Sequence, residues 1–311
     1  MSGQTRASRG FTDVNGILLL NKPLGISSNK ALQAARHLFK ANKAGHTGSL
    51  DPLATGMLPV CFGEATKYSA YLLDTSKIYR ATCQLGVTTT TGDSEGDIVL
   101  TRPVNVSRAQ VDQAVSRFRG KIQQTPPMHS AVKHNGERLY KLARKGIEVE
   151  RQSREIEVFR LDILAFEGDQ LKLEVHSSKG TYIRTLAEEI GEVLGCGAYL
   201  TALERTGVEP FWDVRTYTLD ELEAISRNAQ DEGGNGLTDC LLAVDSALMD
   251  WPRIDLTPEL SFYLLQGQPV QVPGAPPRGL LRVYNENSCF IGLGTVLADG
   301  RVAPKRMLRS K

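Results

Sequence analysis

Apolar runs of strand length alternate along this chain with helical segments that carry their own start signals, and this order most constrains the fold. Asn15–Pro23 has the length of a buried strand ending at a proline turn, and Lys77–Val87 alternates as a half-buried strand does. Ser27–Lys40 places apolar residues at helical spacing behind a serine cap, and Thr218–Ile225 opens with a capping box. Strands with helices between them predict an α/β (α+β) fold built on a mixed sheet.

The composition changes near Trp251–Pro258 and divides the chain. Beyond this segment, a short capped helix precedes short strands separated by turns rich in glycine and asparagine, which is typical of a small all-β module. The first residues are polar and show no periodic apolar pattern. We therefore predict a flexible N-terminus over residues 1–12, a main domain over residues 13–252 and a small β domain over residues 253–311.

Cysteine and histidine spacing disfavours several kinds of site. The five cysteines are scattered without a CxxC pair, which is typical of reduced thiols in a cytoplasmic protein. The five histidines show no HxxxH or HxH spacing, and no Walker or GxGxxG motif occurs. No apolar run approaches the ~18 residues of a membrane span. The sequence predicts a cytoplasmic protein without a metal ion, a nucleotide cofactor or a membrane anchor.

Charge is unevenly distributed, although the formal net charge is only +2. Residues 1–50 carry seven Lys or Arg against one acid, and residues 121–160 carry nine Lys or Arg against five acids. Such asymmetry is typical of a face that binds a polyanion, and it is equally compatible with solvated surfaces.

One acidic residue, Asp51, lies inside GHTGSLDPLATG (Gly45–Gly56), a run of small and turn-forming residues. Glycine permits close backbone approach, and Pro52 restricts both itself and the residue before it. We interpret the segment as a stiff loop that presents a carboxylate at a fixed angle. A solvated turn that happens to contain an aspartate stays open as the alternative.

Tyr79 and Arg184 join Asp51 as candidates for chemistry, at the start of a predicted strand and at the head of a predicted helix. An Asp–Arg pair is charge-assisted and keeps a carboxylate ionised even when it is desolvated. A flat aromatic ring nearby stacks on a base or a sugar. The three residues suit an enzyme that attacks an electrophilic carbon while gripping a nucleobase. Sequence spacing alone also permits a strand-core tyrosine and a surface arginine.

Four segments together resemble the TruB-type tRNA pseudouridine synthases of bacteria: GHTGSLDPLATGMLPVCFGEATK, KIYRATCQLG, PPMHSAVKHNGERLYKLARKG and SKGTYIRTLAEEIG. The resemblance implies the pseudouridine-synthase fold, with a central mixed, largely antiparallel sheet and a small C-terminal PUA-like RNA-binding domain. It implies isomerisation of uridine-55 in the tRNA T loop to pseudouridine without a metal or an organic cofactor. It also implies an accompanying role in tRNA folding.

The same resemblance assigns roles to six residues. It makes Asp51 the catalytic aspartate, Tyr79 the aromatic that stacks on the target base, and Arg184 the partner of the aspartate. It makes His46 the wedge that takes the place of the flipped base in the T loop. Two further residues are implied to line the base pocket, namely Tyr182 and Leu203.

The basic segment Gln123–Arg154 corresponds to an RNA-gripping insertion in these enzymes. His129 stands where members often have tyrosine, and it keeps part of the aromatic character. Glu204 stands where members usually have a second arginine, a departure that bears on one phosphate contact and not on the base pocket. The resemblance implies that a monomer binds the T arm of tRNA without a guide RNA or a protein partner.

Three alternatives compete with this interpretation. A non-catalytic RNA-binding protein would have no need of an acid facing a polyanion. A glycosidase or nucleosidase would use paired carboxylates, for which Asp93, Glu95 and Asp97 are available, although their polar loop is interpreted more simply as solvated. A synthase dependent on a guide RNA is disfavoured by the HNGERLYKLARKG segment and the short C-terminal module, which resemble the stand-alone type.

Overall fold

The computed structural model describes residues 10–231 and 236–309. The predicted flexible N-terminus over residues 1–12 lies mostly outside the described residues. The strands are β1 (Gly16–Lys22), β2 (Ala44–His46), β3 (Ala54–Phe62), β4 (Lys77–Leu85), β5 (Val87–Thr89), β6 (Ile98–Thr101), β7 (Gly120–Gln124), β8 (Lys133–His134), β9 (Glu137–Arg138), β10 (Arg154–Glu167), β11 (Gln170–Ser177), β12 (Ala198–Val208), β13 (Arg253–Asp255), β14 (Gly279–Tyr284), β15 (Phe290–Val296) and β16 (Val302–Met307). The α-helices are α1 (Ser28–Leu38), α2 (Ser69–Leu73), α3 (Arg108–Ser116), α4 (Leu139–Ala143), α5 (Ile183–Val193), α6 (Leu219–Asp231) and α7 (Pro258–Leu265).

The central sheet has the strand order β1-β3-β12-β4-β11-β10-β7, and β2 pairs with β3 beside this path. The pairing of β12 with β3, which sets Leu203 beside Ala54, is parallel, whereas the other pairs of this sheet are antiparallel. The predicted mixed, largely antiparallel sheet is therefore confirmed. Helices α1, α3 and α5 pack on one face of the sheet and enclose the main hydrophobic core with it.

Local start signals place the helices where the sequence predicts them. The Ser27 hydroxyl accepts a hydrogen bond from the amide of Lys30 and caps α1. Thr218 and Glu221 bond reciprocally at the start of α6, as a capping box requires. The dipeptide Asn135-Gly136 predicts a tight hairpin, and the structure forms it between β8 and β9.

The segment EATKYSAYLLD (Glu64–Asp74) predicts one helix, which is interrupted in the structure. A 3-10 helix spans Gly63–Lys67. After Tyr68, the short helix α2 adds about one and a half α-helical turns. Tyr68 is completely buried, and its hydroxyl donates to the carbonyl of Arg306 in the small C-terminal sheet. The helix is interrupted at Tyr68, where the ring is buried against the C-terminal sheet.

The interpretation of residues 88–99 as a polar, solvated loop is wrong at its centre. Strands β5 and β6 pair here, and Asp93 between them is only 2% exposed. The Thr91 hydroxyl and the amide of Glu95 both donate to Oδ1 of Asp93, at 2.5 and 3.0 Å. These donors satisfy a carboxylate that the hydrophilic sequence around it does not mark as buried.

The C-terminal sheet, ordered β13-β14-β15-β16, has a hydrophobic core of its own that includes Leu264 of α7 and Val302 of β16. The Lys67 ammonium donates to the carbonyl of Met307 at 2.8 Å and ties this sheet to the rest of the chain. Because β13 begins at Arg253, we propose that the domain boundary falls at residues 252 and 253. Among the helices of the described residues, none combines the length and the apolar character needed to span a membrane.

Candidate active site

The loop that carries Asp51 is fastened on both sides of the carboxylate. The Ser28 hydroxyl, in the first turn of α1, accepts from the amide of Leu50 at 2.7 Å and donates to its carbonyl at 3.0 Å. On the other side, the amide of Gly25 donates to the carbonyl of Pro52 at 2.8 Å. The loop is therefore held at positions 50 and 52, and the side chain between them has a fixed origin.

Lys22 supports the same loop from below. It ends the apolar strand β1, is completely buried, and donates to the carbonyls of Pro23 and Ile26 at 2.9 and 2.7 Å. A longer contact of 3.4 Å reaches the carbonyl of Pro52. Burial lowers the pKa of Lys22 to about 8, although the nearby Asp51 carboxylate opposes this effect. Lys22 thus brings buried positive charge close to the candidate carboxylate.

Arg205 packs so closely against the Asp51 loop that positions 48 and 56 have no room for a side chain. This arginine of β12 is 1% exposed, and its side chain donates to the carbonyls of Met57 and Gly48 at 2.7 and 2.9 Å. A Cβ at position 48 would lie 3.2 Å from Nη1 of Arg205, and one at position 56 would lie 2.3 Å from its carbonyl oxygen. Both positions also have positive φ, so only glycine fits without strain.

Arg184 brings distant segments of the chain together beneath Asp51. Its Nη2 lies 3.0 Å from Oδ2 of Asp51, and its Nε lies 3.5 Å from Oδ2 of Asp93. The guanidinium also donates to the carbonyls of Thr91 and His129, at 2.9 and 2.8 Å. Arg184 is 5% exposed, whereas Asp51 is 42% exposed, so a buried cation supports a carboxylate that solvent can reach. The alternative of a surface arginine is therefore wrong.

Glu188 lies one helical turn beyond Arg184 on α5 and adds a second acid beneath the site. Burial raises the pKa of Glu188 to about 6, and the Arg184 guanidinium opposes this rise. Arg184 therefore stands among several carboxyl groups, of which it contacts Asp51 and Asp93 directly. The site can hold an ionised, partly exposed carboxylate in a fixed direction.

Tyr79 and Leu203 lie on the face of the sheet against which α5 packs. Leu203 of β12 is paired with Ala81 of β4, and Arg205 is paired with Tyr79 two positions along. Residues directly opposite each other on paired antiparallel strands point to the same face. Leu203 is 8% exposed and belongs to the main core cluster, and the half-buried Tyr79 packs against that cluster. The structure therefore puts these two predicted residues on one surface.

His46 and Tyr182 lie on two further elements. His46 ends β2 and is paired with Val60, and burial, followed by the Arg205 charge, lowers the pKa of its imidazole. Tyr182 occupies the N-cap position of α5, two residues before Arg184. Direct contact is shown for the predicted pair Asp51 and Arg184. The other predicted residues make no hydrogen bond to that pair within residues 10–231 and 236–309.

Comparison of the sequence with known proteins identifies the family to which this chain belongs. The tRNA pseudouridine synthase B of Pseudomonas fluorescens Pf-5 is 55% identical over 300 residues, which are 96% of this chain and 97% of that protein. The chain belongs to the TruB family of pseudouridine synthases. The enzyme of the same name from Yersinia pestis Pestoides F is 51% identical over 307 residues, 97% of this chain and 95% of that protein. This TruB-family chain is accordingly an enzyme of the isomerase class.

Three family models cover most of this TruB-family chain. Residues 36–183 match the N-terminal domain of the TruB family pseudouridylate synthases. Residues 184–249 match the model described as the tRNA pseudouridylate synthase B C-terminal domain, and residues 252–308 match the pseudouridine synthase II TruB C-terminal model. The last match coincides with the small β domain, whose PUA-like character is that of the TruB C-terminal domains.

Solved structures support the pseudouridine-synthase fold of this TruB-family chain. A chain in the crystal structure of a Cbf5-Nop10-Gar1 complex superposes with a TM-score of 0.74 at 25% identity, covering 94% of this chain and 84% of that one. A chain in the structure of an H/ACA RNP bound to a substrate RNA containing 2′-deoxyuridine gives a TM-score of 0.73 at 22% identity, covering 97% and 93%. Because the H/ACA RNP chain is only 22% identical, its similarity to this chain concerns the fold alone.

Sequence reasoning missed Lys22 and Arg205, and it interpreted Asp93 as solvated, although this buried carboxylate contacts Arg184 in the site of this TruB-family chain. For Arg205 a signal exists, because the segment AYLTALERTGV predicts a strand in which Arg205 stands two positions after Leu203 and shares its face. For Lys22 the signal is weaker, a cation directly at the end of an apolar run. Asp93 carries no such signal. No group of three or more His, Cys, Asp or Glu that could hold a metal ion occurs in residues 10–231 and 236–309.

Proposed function

We propose that this chain isomerises uridine-55 in the T loop of tRNA to pseudouridine, with Asp51 as the catalytic carboxylate. The observation that carries the proposal is the contact between Asp51 and the buried guanidinium of Arg184, at 3.0 Å. The relatives with 51% and 55% identity are both named tRNA pseudouridine synthase B, which supports tRNA as the substrate. Position 55 follows from the resemblance of the GHTGSLDPLATG segment to that of the bacterial enzymes.

The reaction breaks the C1′–N1 bond of the uridine, rotates the uracil, and joins C1′ to C5. The proton on C5 leaves to solvent and N1 gains a proton, so that no oxidant, reductant or co-reactant is consumed. A carboxylate suits the first step as a nucleophile at C1′ or C6, or as the base that removes a sugar proton. These three routes stay open, and all of them require an ionised Asp51 at a fixed distance from the nucleotide.

Arg184 sets a buried positive charge against the Asp51 carboxylate and directs it. It contacts Oδ2, while Oδ1 makes no hydrogen bond within the described ranges 10–231 and 236–309 and so stays open to a substrate. The anchored loop contributes positioning, which reduces activation barriers by avoiding the loss of freedom in the reacting groups. Tyr79 stacks on the target base, and Tyr182 with Leu203 completes the pocket around it.

The basic insertion over residues 123–154 binds the phosphates of the T arm in this proposal. It presents an exposed basic helical turn that includes Lys141, followed by Arg144 and Lys145. Such contacts make affinity dependent on salt, and RNA loops are recognised by their shape and their unstacked bases. We propose that a cytoplasmic monomer acts on tRNA without a guide RNA, a protein partner, a metal ion or a cofactor.

The test is release of tritium from a T-arm minihelix labelled at C5 of the target uridine, with purified protein and buffer only. We expect release from a minihelix with uridine at position 55 and none when the label is confined to other uridines of the loop. Release from every loop uridine would contradict the assignment of position 55. No release from any position would contradict stand-alone catalysis.

We expect His46→Ala to slow the reaction more on a structured T arm than on a stemless loop oligonucleotide whose bases are already unstacked. The pKa of His46 is lowered, so a neutral imidazole is available to replace the flipped base in the stack. Flipping costs a few kcal/mol, of which a wedge restores part, so the two substrates should differ by about tenfold in sensitivity. Single-turnover rates measure this ratio, and His37→Ala on the exposed face of α1 is the control. Equal slowing on both substrates would argue against a wedge.

A further inference from the structure

Two side chains at the base of the insertion hold the turn that begins α5. Gln124 is the last residue of β7, Arg154 is the first residue of β10, and the two are direct partners in the sheet. Every residue of the insertion lies between them or next to them. The turn they contact, Gly180–Tyr182, leads directly into the helix that carries Arg184.

Gln124 contacts the main chain of Tyr182 as a neighbouring strand would. The amide of Tyr182 donates to Oε1 of Gln124 at 2.8 Å, and Nε2 of Gln124 donates to the carbonyl of Tyr182 at 3.1 Å. Gln124 is 1% exposed, so water does not compete for these bonds. A carboxamide is the side chain that supplies one donor and one acceptor in this arrangement. The pair therefore fixes both the position and the direction of the Tyr182 peptide groups.

Arg154 holds the same turn through its side chain. The centre of its guanidinium lies 5.1 Å from the centroid of the Tyr182 ring, and its Nη2 donates to the carbonyl of Gly180. A guanidinium over an aromatic face is attracted by the ring and restricts its rotation. Gln124 thus fixes the main chain of Tyr182 while Arg154 fixes its ring.

The contacts continue outward between the two arms of the insertion. The hydroxyls of Thr125 and Ser153 lie 2.7 Å apart, and the Arg151 guanidinium donates to the carbonyl of Pro126 at 3.4 Å. Further along the insertion, the carbonyl of His129 accepts from Arg184 itself. The base of the insertion is therefore closed by side chains, and it contacts α5 at both Tyr182 and Arg184.

We propose that Gln124, assisted by Arg154, is a positioning residue that aims Tyr182 and Arg184 at the reacting nucleotide. This inference rests on the proposed function. Tyr182 is the N-cap residue, and its carbonyl also accepts the first helical hydrogen bond, from Leu186 at 3.0 Å. A displaced Tyr182 would shift the start of α5 and with it the guanidinium that directs Asp51. Misplacement of reacting groups by about 1 Å lowers rates by about 100-fold.

Gln124→Glu and Gln124→Met test the proposal on the full chain. Glutamate keeps the shape but sets an oxygen against the Tyr182 carbonyl, and methionine keeps the length but removes both hydrogen bonds. We expect the tritium-release rate at saturating minihelix to fall about tenfold or more for both variants, because the turn is misplaced. We expect minihelix affinity to change far less, since no phosphate contact is lost. The melting temperature should fall for both variants, and further for glutamate, whose buried carboxylate faces a carbonyl, than for methionine, so the methionine variant separates the loss of rate from a loss of fold. Gln113→Glu, at an exposed position on α3, is the matched control.

Arg154→Lys tests the contribution of Arg154, which is half-buried. It keeps the charge but loses the flat group over the Tyr182 ring, and we expect a several-fold fall in rate with unchanged affinity. Its control is Arg160→Lys, at an exposed position on the same strand.

Three outcomes would overturn the proposal: rates within about twofold of the controls, as for ordinary surface substitutions, a loss of affinity equal to the loss of rate, or a loss of rate that follows loss of fold in every variant. Failure of the proposed function is distinguishable, because the wild-type chain and the controls would then release no tritium at position 55.

Discussion

Replacing Asp51 with asparagine is expected to reduce pseudouridine formation by a factor on the order of 10³ or more, the scale on which loss of a reacting side chain acts. Asparagine has nearly the same shape, but it is neither a nucleophile nor a base. The affinity for tRNA is expected to stay equal or to rise, because the change removes a negative charge that faces a polyanion. A rate loss without an affinity loss separates chemistry from binding.

The fold should survive this change, because Arg184 keeps other partners. Its Nε stays 3.5 Å from the buried carboxylate of Asp93, and its donors to Thr91 and His129 are untouched. No buried charge is therefore left alone, and the melting temperature should change little. Single-turnover tritium release measures the rate, and filter binding measures the affinity.

Asp97→Asn is the matched control, since Asp97 is exposed on the β5–β6 hairpin near Asp93. If Asp51→Asn formed pseudouridine at the rate of this control, Asp51 would not be the catalytic carboxylate. The control also tests the alternative of a glycosidase-like pair in that hairpin. If such a pair carried the chemistry, Asp97→Asn would lower the reaction rate more than Asp51→Asn.

Much of the fold is predictable from the sequence because its signals are local. Ser27 and Thr218 are capping residues that predict where two helices begin, and Asn135 with Gly136 predicts a hairpin. The Asp51 loop is also recognisable, since a proline that restricts φ and glycines that permit positive φ, all within twelve positions, indicate a shaped turn from local residues alone. Each of these features depends on residues that are neighbours in sequence, and the structure contains them all.

The rest of the site depends on contacts that sequence spacing does not encode. Arg184 bonds to a carbonyl 93 positions away at Thr91 and to another 55 positions away at His129. Asp93 is flanked by polar residues and is nevertheless buried, because its own loop supplies the donors and α5 supplies the cation. Arg205 has a local signal, but its partners at Gly48 and Met57 become evident only when β12 and β3 are placed side by side.

Arg184→Lys is expected to keep the fold and the binding of tRNA while lowering the rate by about 100-fold, the scale of a small misplacement of reacting groups. Lysine would keep a positive charge between Asp51 and Asp93. It lacks the planar fork, however, and it cannot reach both carboxylates and the carbonyls of Thr91 and His129 at once. The carboxylate of Asp51 would keep a cation nearby but lose its fixed direction.

Arg184→Ala is expected to lower both the rate and the stability. The charge left without compensation is that of Asp93, which is 2% exposed, rather than that of Asp51, which water can reach. Breaking a buried ion pair from one side typically costs about 3–5 kcal/mol of unfolding free energy. Thermal melting measures this cost, and tritium release with filter binding measures the rest. Arg102→Lys is the control, since its guanidinium pairs with Glu192 on the same helix at 3.0 Å but outside the site. The directing role would be refuted if both Arg184 variants had rates and melting temperatures close to those of the control. A cation that only balanced nearby charge would be replaced by lysine without loss of rate.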